Sequence, residues 1–425
     1  MKILFWVTHL NGEILNYLRY EHERKKHDLL LAYDRWERFQ REACQNLWPL
    51  HVKVMTRRTL RDHLAIQRFG ADVVVVDNHL PPLPVARKIF VIWHGYGWKG
   101  PQDRDEFSTF FRQCERLVGP IDQPNSHFLW KAYGPLDESQ RIERMELPPS
   151  NIRQLGMAAS DDFFVRTFDR AAVQPFYTVD VTRPTLLFAP TWHYDEVFHH
   201  WGGDAHMLPR LGEFVDRRGI NLIVRMHDRK RYAHDTLKRV DVWAAAHPTV
   251  MLKYHDEWED NTVDLMLADV LLTNFSSIAN PYYASGKPSV HLYPLSPEVE
   301  QVQWRRLQTN GLNAQQTIHT RDLWKFPLSE NGGDLAYTPE EMFAQLDAAF
   351  SHPQIHQERT RQFLDKYIYH CDGHTCERIG AFLEEWVERD ATKIQLPPLT
   401  QLLRPCVLRG WAHTIQHAWN SRHKP

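Results

Sequence analysis

The sequence predicts an α/β protein built from two doubly wound domains. Short apolar runs recur along the 425 residues, and a polar stretch of helical character follows each of them. Such runs suit parallel strands buried on both faces, and their alternation with helical segments predicts βαβ units. A chain of this length exceeds one ordinary core, so we expect two domains with a cleft between them. The runs are residues 3–7, 73–76, 89–93, 186–190, 222–226, 269–273 and 289–293.

The domain boundaries follow from the position of prolines between these runs. Pro175 and Pro184 lie in the stretch 171–184, between segments of opposite periodicity, which predicts an interdomain linker. We therefore expect a first domain over residues 1–172 and a second over residues 173–350. Ligand-binding residues are expected in the loops that follow the carboxyl ends of the strands.

The C-terminal part of the chain divides into two segments of different character. Apolar residues at helical spacing predict amphipathic helices over residues 351–390. Residues 391–425 contain no Asp or Glu, and arginines alternate there with leucines and tryptophans, which predicts a basic amphipathic tail. The segment 396–425 suits contact with an anionic membrane surface. The alternative is a helix packed against the protein, or a disordered end.

Composition excludes several classes of protein. Hydrophobic residues make up 43% and charged residues 24%, which excludes a disordered or fibrous chain. The formal net charge of -2 gives no bulk attraction to nucleic acid, and we expect no nucleic-acid partner. Five cysteines are too few for a disulfide framework and favour a cytoplasmic protein. No run approaches the roughly 20 apolar residues of a membrane-spanning helix, so membrane contact would be peripheral, on the inner face.

The segment IFVIWHGYGWKG, residues 89–100, is an apolar strand that ends in a turn with three glycines. His94 thereby lies at the mouth of a strand-to-helix loop, where glycines let the backbone approach a ligand closely. A neutral histidine there can accept a proton from an attacking hydroxyl, because its pKa lies near neutrality. We take His94 as a candidate general base. The alternative is a histidine that only hydrogen-bonds its own loop.

Two further runs end in polar groups with the same layout. LLFAPTWHYD ends with Thr191 and His193, and LIVRMHD ends with Arg225 and His227. Alternate residues of a strand point the same way, so Arg225 and His227 suit charge-assisted hydrogen bonds to phosphate oxygens. The alternative is a structural Arg–Asp pair at the strand end.

The segment 268–294 reads as a strand, an Asn-Phe-Ser-Ser turn, a helix that ends near Gly286, and another strand. Ser276 or Ser277, which follow Asn274 in the turn, is predicted to be the N-cap of the helix. A helix start offers unsatisfied N–H groups and a favourable dipole, so the turn is a candidate phosphate site. The alternative is that the serines only cap the helix.

Taken in order, these segments resemble the CDP-glycerol glycerophosphotransferase family, which includes the teichoic-acid primases and polymerases. The resemblance covers about residues 89–380. It implies a GT-B fold, in which two Rossmann-like domains face a cleft and C-terminal helices return to the first domain. The matching positions are His94-Gly95-Tyr96 with Lys99, Gly156 with Asp161, Ala189 through Trp192, Arg225-Met226-His227, Asp269 through Ser277, and Asp372-Gly373 with Arg378.

The resemblance also implies an activity. It is the transfer of glycerol phosphate, or a related polyol phosphate, from a CDP-linked donor to a lipid-linked or glycan acceptor hydroxyl. CMP is released, the setting is cell-wall or surface-polymer synthesis, and no metal or cofactor is expected. By carry-over, His94 would activate the acceptor and His227 would stabilise the departing CMP. The donor or its phosphates would be bound by Lys99, Thr191, His193, Arg225, Asn274, Ser276, Ser277, Asp372, Gly373 and Arg378.

Several positions depart from the family pattern. Tyr96 replaces a Thr, His193 an Arg, Asp228 a Pro and Asn274 an Asp. These changes leave CDP-glycerol, CDP-ribitol and nucleotide sugars open as donors. The alternative functions are a glycosyltransferase that uses a CMP- or UDP-sugar, a nucleotide-sugar epimerase, and a non-catalytic homologue that binds nucleotide or glycan.

Overall fold

Two parallel β-sheets, one from each half of the chain, form the framework of the protein. We analysed a computed structural model. The residues that the structure describes are 1–96, 103–191, 197–229, 232, 234–293, 300–307 and 313–389. The predicted basic tail and its membrane contact therefore lie outside the described residues. Among the described helices, none is long and apolar enough to cross a membrane.

The first sheet has seven parallel strands in the order β3-β2-β1-β4-β5-β6-β7. Chain order reverses direction between β1 and β4, as it does in a doubly wound sheet. Its strands are β1 (Lys2–Trp6), β2 (Asp28–Ala32), β3 (Lys53–Met55), β4 (Ala71–Val76), β5 (Ala86–Val91), β6 (Phe128–Ala132) and β7 (Ile152–Gln154).

The second sheet has six parallel strands in the order β10-β9-β8-β11-β12-β15. A separate antiparallel hairpin joins β13 and β14. The strands are β8 (Thr185–Phe188), β9 (Asn221–Met226), β10 (Val250–Tyr254), β11 (Val270–Thr273), β12 (Ser289–Leu292), β13 (Gln301–Leu307), β14 (Asn313–His319) and β15 (Asp334–Ala336).

Helices cover the sheets, as buried apolar runs require. Their bounds are α1 (Gly12–Arg24), α2 (Trp36–Phe39), α3 (Ala43–Leu47), α4 (Leu60–Phe69), α5 (Ser108–Val118), α6 (Pro135–Glu143), α7 (Asp162–Val165), α8 (Arg170–Val173), α9 (Asp204–Arg218), α10 (His234–Ala245), α11 (Thr262–Leu267), α12 (Ala279–Tyr283), α13 (Thr320–Leu323), α14 (Pro339–Ser351), α15 (Gln357–Tyr367) and α16 (Thr375–Arg389).

The fold class predicted from the sequence is confirmed. Each of the seven apolar runs overlaps a parallel strand, namely β1, β4, β5, β8, β9, β11 or β12. The sheets lie on either side of the stretch 171–184, whose role as a linker, with the domain bounds drawn from it, stays a prediction.

The C-terminal helices return to the first domain, as expected. The Glu384 carboxylate of α16 accepts hydrogen bonds from Arg24 at 3.0 Å and Lys26 at 2.5 Å, and it lies 3.0 Å from the His27 ring. Trp386 packs under Lys88 of β5, whose ammonium lies 4.5 Å from the ring centroid. The last helix therefore fastens the end of the described chain to the first sheet.

One buried carboxylate joins the two domains. Glu259 follows β10 in the second domain, yet its carboxylate accepts hydrogen bonds from Tyr33 and Arg38 of the first domain. Arg35 forms an ion pair with it at 2.5 Å. In return, the Glu42 carboxylate of the first domain accepts the backbone N–H of Glu259 at 2.8 Å. This interdomain joint fixes how the carboxyl edges of the two sheets face each other.

Candidate active site

The carboxyl edges of the two sheets meet at the turns after β5 and β11. The Asn280 side-chain amide donates to the Tyr96 carbonyl at 3.2 Å. A methyl group at Gly95 would lie 3.0 Å from the Ser277 hydroxyl, so this approach leaves room for glycine and little else. The two turns singled out in the sequence, at His94 and at Ser276-Ser277, therefore lie side by side.

A strained residue sets the direction of His94. Trp93 has a φ of 60°, a left-handed conformation that a bulky residue rarely adopts. Its indole is buried against Trp130 and Phe107, with ring centroids 5.2 and 5.4 Å away. This aromatic packing offsets the strain, which costs on the order of 1–3 kcal/mol. The turn that follows is thereby fixed, and His94 leaves it towards the cleft.

The surroundings of His94 favour its neutral form. The side chain is open to the cleft, but the packed walls around it desolvate the imidazole and lower its pKa. Asp77 opposes this shift, whereas His9 and His79 add to it. The lowered pKa leaves His94 unprotonated at pH 7, and an unprotonated imidazole can accept a proton.

Asp77 organises two loops that the sequence analysis did not single out. It directly follows β4 and is buried, and its carboxylate accepts the backbone N–H of Thr8 at 2.8 Å and of His9 at 3.2 Å. It also accepts the N–H of Asn78 at 2.6 Å. The His79 ring is hydrogen-bonded to the Thr8 hydroxyl at 3.0 Å. Two more imidazoles, His9 and His79, thus lie at the carboxyl edge of the first sheet.

His9 makes a contact across the cleft to a histidine of the second domain. Its ring centroid lies 4.6 Å from that of His255, which follows β10. His255 Nδ1 donates to the Asp228 carboxylate at 2.9 Å, and Arg35 donates to His9 Nδ1 at 3.0 Å. Desolvation lowers the pKa of His255 while Asp228 opposes the shift, so the ring is held neutral with Nδ1 protonated.

The second sheet presents amide and hydroxyl groups at the same edge. Asn274 accepts the Thr191 N–H at 2.8 Å and donates to the Thr191 carbonyl at 3.1 Å. The pair clamps the turn after β8 to the turn after β11. An Asp at position 274 could not donate to that carbonyl, which gives the departure from the family pattern a structural reason.

The serine turn differs from the expectation in one respect. Helix α12 begins at Ala279, its N-cap is Ile278, and no side chain caps it, so neither serine is the N-cap. Pro281 has no N–H to bond to the Ser277 carbonyl, and the chain enters the helix through tight turns instead. Within the described part of the chain, the hydroxyls of Ser276 and Ser277 make no hydrogen bond. The helix also ends earlier than expected, at Tyr283.

An open pocket begins at these serines. Lys325 lines it, and desolvation lowers the pKa of this lysine to about 8 although Asp322 lies 3.9 Å away. The segment around Lys325 carries neither a glycine turn nor an apolar run, so no sequence pattern indicates this residue. The lining side chains include Tyr96, Asn274, Phe275, Ser276, Ser277, Tyr283, Trp324, Lys325 and Phe326.

The Arg225 side chain is buried inside the second domain. Its buried guanidinium pairs with Asp264 and donates to the carbonyls of Asp260 at 2.9 Å and Trp258 at 2.8 Å. Lys253 also pairs with Asp264, at 2.8 Å. This geometry is that of the structural Arg–Asp pair, the alternative to phosphate binding. These contacts of Arg225 hold the segment 258–264, which contains Glu259 of the interdomain joint.

Of the remaining residues that were predicted in the central motifs, the structure describes His227. His227 directly follows β9, and its backbone N–H donates to the Tyr232 hydroxyl at 2.9 Å. The next residue, Asp228, accepts the hydrogen bond from His255, whose ring contacts His9 of the first domain. Lys99 and His193 lie outside the described residues.

Asp372 and Gly373 lie in the loop before α16, and Arg378 lies near the start of that helix, which packs against the first domain. Arg378 holds the Asp372 carboxylate with two hydrogen bonds, at 2.9 and 2.8 Å. Gly373 has a φ of 83°, and a methyl group there would lie 2.6 Å from the Phe164 Cβ. The described residues that line the pocket at the serines include none of the three. Their contact with a donor stays a prediction.

In the part of the chain that the structure describes, Glu42, Cys44 and Asp260 are close enough to share a metal ion. The Glu42 carboxylate, however, already accepts the backbone N–H groups of Glu259 and Asp260, each at 2.8 Å. Burial and the nearby Asp260 raise the pKa of Glu42 to about 8. A protonated carboxyl bonded to backbone is a poor metal ligand, so we assign this cluster to the interdomain joint.

Comparison with known proteins agrees with this architecture. No protein-family model matches the chain, and no curated protein matches its sequence. The structure of the wall teichoic acid polymerase TagF matches with a TM-score of 0.65 and 13% identity, covering 92% of this chain and 90% of that one.

Two nucleotide-sugar epimerases match less closely. UDP-GlcNAc 2-epimerase from Neisseria meningitidis has a TM-score of 0.54 and 11% identity, and that from Methanocaldococcus jannaschii 0.51 and 12%. Each covers 91% of this chain and 100% of its own. At these identities the likeness concerns the fold, and the chain has the GT-B fold of two Rossmann-like domains.

Proposed function

We propose that the protein is a glycerophosphotransferase-like enzyme. It transfers glycerol phosphate, or a related polyol phosphate, from a CDP-linked donor to an acceptor hydroxyl and releases CMP. The observation that carries the proposal is the contact between the His94 turn of one domain and the Ser277 turn of the other, beside an open pocket. The proton acceptor His94 then lies on the turn next to two hydroxyls that line the pocket.

The proposed reaction needs a base that accepts the hydroxyl proton and groups that bind the diphosphate. The acceptor oxygen attacks the distal phosphorus, a new P–O bond forms, and the P–O bond to CMP breaks. His94 takes the hydroxyl proton, because its lowered pKa keeps the imidazole unprotonated at pH 7. Ser276, Ser277 and His227 hydrogen-bond the diphosphate oxygens, where charge gathers as CMP departs.

The pocket supports a nucleotide-linked donor. Trp324 and Phe326 suit a nucleobase, and Lys325 suits a phosphate. TagF structures include one soaked with CDP-glycerol, which supports a CDP-linked donor here as well. We assign the acceptor to a lipid-linked or glycan surface polymer and the enzyme to the cytoplasmic side of the membrane.

A donor panel tests the proposal. Purified protein is incubated with CDP-glycerol, CDP-ribitol, a CMP-sugar or UDP-GlcNAc, with and without a lipid-linked acceptor, and released CMP or UDP is measured. We expect CMP release that depends on the acceptor and favours a CDP-polyol. Epimerised UDP-GlcNAc without acceptor would identify an epimerase instead, release from a nucleotide sugar a glycosyltransferase, and binding without turnover a non-catalytic homologue.

A further inference from the structure

A buried histidine lies next to the serine turn, residues 274–277. His291 is on β12, where the register of the parallel sheet pairs it with Thr273, the last residue of β11. The serine turn begins at the following residue. The His291 side chain is 1% exposed, yet it is among the residues that line the pocket at the serines. An imidazole is therefore placed directly beside the candidate anion site.

Hydrogen bonds fix the ring of His291 in one orientation. Its Nδ1 lies 3.1 Å from the Asn274 carbonyl oxygen, which can only accept, so Nδ1 carries a proton and donates it to the turn. Desolvation lowers the pKa of His291 to about 4, so the neutral ring has this one proton at pH 7 and Nε2 accepts. The hydroxyls of Tyr283 and Ser289 lie 3.0 and 3.1 Å from Nε2. The ring is thus bonded at both nitrogens.

The two hydroxyls at Nε2 belong to a wider network. The Tyr283 hydroxyl donates to Asn331 Oδ1 at 2.8 Å, so its one proton is used, and Ser289 supplies the proton that Nε2 accepts. The Asn331 amide donates to the Gly333 carbonyl at 3.1 Å. Because Asn331 also lines the pocket, the network connects the serine turn with a second part of the pocket wall.

The carbonyl groups of the serine turn are held by donors of the protein. The carbonyls of Ser276 and Ser277 accept backbone N–H groups at the start of α12, each at 3.2 Å. The Asn274 carbonyl accepts the bond from His291. A carbonyl oxygen that pointed into the pocket would repel an anion, whereas a hydroxyl can donate to one. The bond from His291 therefore favours a turn that offers hydroxyls to the pocket.

We propose that His291 is a positioning residue for anion binding. Its bond to the Asn274 carbonyl orients the serine turn so that the hydroxyls of Ser276 and Ser277 meet a diphosphate in the pocket. The histidine acts through the turn and does not itself touch the ligand. This role rests on the proposed function, in which these serines bind the donor diphosphate. Inorganic pyrophosphate is the probe that tests the role without a nucleotide.

Two amide substitutions separate the bond to the turn from the rest of the network. The side-chain N–H₂ of an asparagine takes the place of Nδ1, and that of a glutamine takes the place of Nε2. His291→Asn therefore keeps a donor to the Asn274 carbonyl, and His291→Gln loses it. We expect the Kd of pyrophosphate, measured by calorimetry at pH 7, to rise at least tenfold in His291→Gln and less than threefold in His291→Asn. A role in packing alone predicts the opposite order, because asparagine leaves the larger cavity.

Hydrogen exchange in the ligand-free protein tests the turn itself. Peptides that cover residues 274–280 should exchange faster in His291→Gln than in His291→Asn or the original protein. Peptides from β8 and β9 should keep their protection, because only the turn loses a bond. Equally fast exchange throughout the second sheet would show a general loss of stability and would overturn the positioning role.

A second buried histidine provides the matched control. His63 Nδ1 lies 2.8 Å from the Thr59 carbonyl at the start of α4, so His63→Gln removes the same kind of bond in the first domain. Its Kd for pyrophosphate should stay within twofold of the original value. The role is wrong if this control binds as weakly as His291→Gln, if the two His291 variants bind alike, or if the original protein does not bind pyrophosphate. Pyrophosphate binding that depends on His291, without CMP release from CDP-glycerol, would keep the role and overturn the proposed function.

Discussion

The two edges of the cleft differ in chemical character. The first domain presents imidazoles, His9, His79 and His94, grouped around the buried Asp77. The second domain presents neutral hydrogen-bonding groups, chiefly Ser276 and Ser277 beside the amide of Asn274. Under the proposed function, proton transfer and anion binding belong to different halves of the chain. Neither half holds the complete set, so the interdomain joint is as much a part of the candidate site as the turns are.

The largest effect should come from the imidazole edge. His94→Gln keeps a hydrogen-bonding side chain but removes the base, so we expect acceptor-dependent CMP release to fall 10²–10⁴-fold. The free energy of unfolding should change by less than about 0.5 kcal/mol, because the side chain is open to the cleft. His234→Gln, at a side chain that is 91% exposed, is the control. Unchanged turnover in His94→Gln would remove proton transfer from this edge.

The second-largest effect should come from a change in the interdomain joint at Glu259. Glu259→Gln leaves Arg35 and Arg38 without a carboxylate, and we expect a loss of about 2–3 kcal/mol in the free energy of unfolding. Glu257→Gln changes the neighbouring exposed carboxylate and should cost under about 0.5 kcal/mol. Urea unfolding measures both variants. Equal losses would mean that Glu259 does not join the domains.

The same carboxylate makes a pH-dependent contribution. Desolvation raises its pKa, but the His9 ring, whose Nδ1 lies 3.8 Å away, and the charge of Arg35 outweigh that and hold the pKa at about 2. A depressed pKa stabilises the fold above the ordinary glutamate value of 4.5, and the contribution is lost as pH falls towards 2. The difference in unfolding free energy between Glu259→Gln and the original protein should therefore shrink between about pH 4.5 and pH 2. A constant difference would contradict the pairing.

Much of the fold could be predicted from apolar runs, and two of the strands that such runs miss have a common cause. β6 and β10 each contain a buried lysine, Lys131 or Lys253. Lys131 is neutralised by Glu13, 2.6 Å away, and Lys253 by Asp264. Glu13 lies 118 residues away in the chain, so the sequence gives no local sign that the charge can be buried.

The candidate site was predicted where it depends on a strand end and missed where it depends on the other domain. His94 and the serine turn follow long apolar runs, and the structure brings them together. His9 follows an equally clear run, but its place in the site depends on His255, which follows a strand that the runs do not reveal. Glu259 follows no pattern at all, because its partners come from the first domain.

The neutral edge can be tested by adding a charge to it. Asn274→Asp keeps the acceptor for the Thr191 N–H but sets a carboxylate oxygen against the Thr191 carbonyl. We expect a loss of about 1–2 kcal/mol in the free energy of unfolding at pH 8. The loss should shrink at pH 5, because the protonated carboxyl can again donate to the carbonyl. Asn46→Asp, at an exposed site, is the control, and a loss that does not depend on pH would contradict the clamp.

The smallest effect should come from changing Asp228, the hydrogen-bond partner of His255. His255 is the histidine of the second domain that contacts His9 across the cleft. Asp228→Asn still offers an oxygen to His255 Nδ1 but withdraws the negative charge that opposes the lowering of the pKa of His255. That pKa should fall further, and NMR titration of the ring nitrogens measures it. The charge acts on a ring packed against His9, not on His94, so turnover should fall less than tenfold. A loss of turnover as large as that of His94→Gln would mean that the second domain also takes part in proton transfer. The proposed separation of proton transfer and anion binding between the two edges would then be wrong.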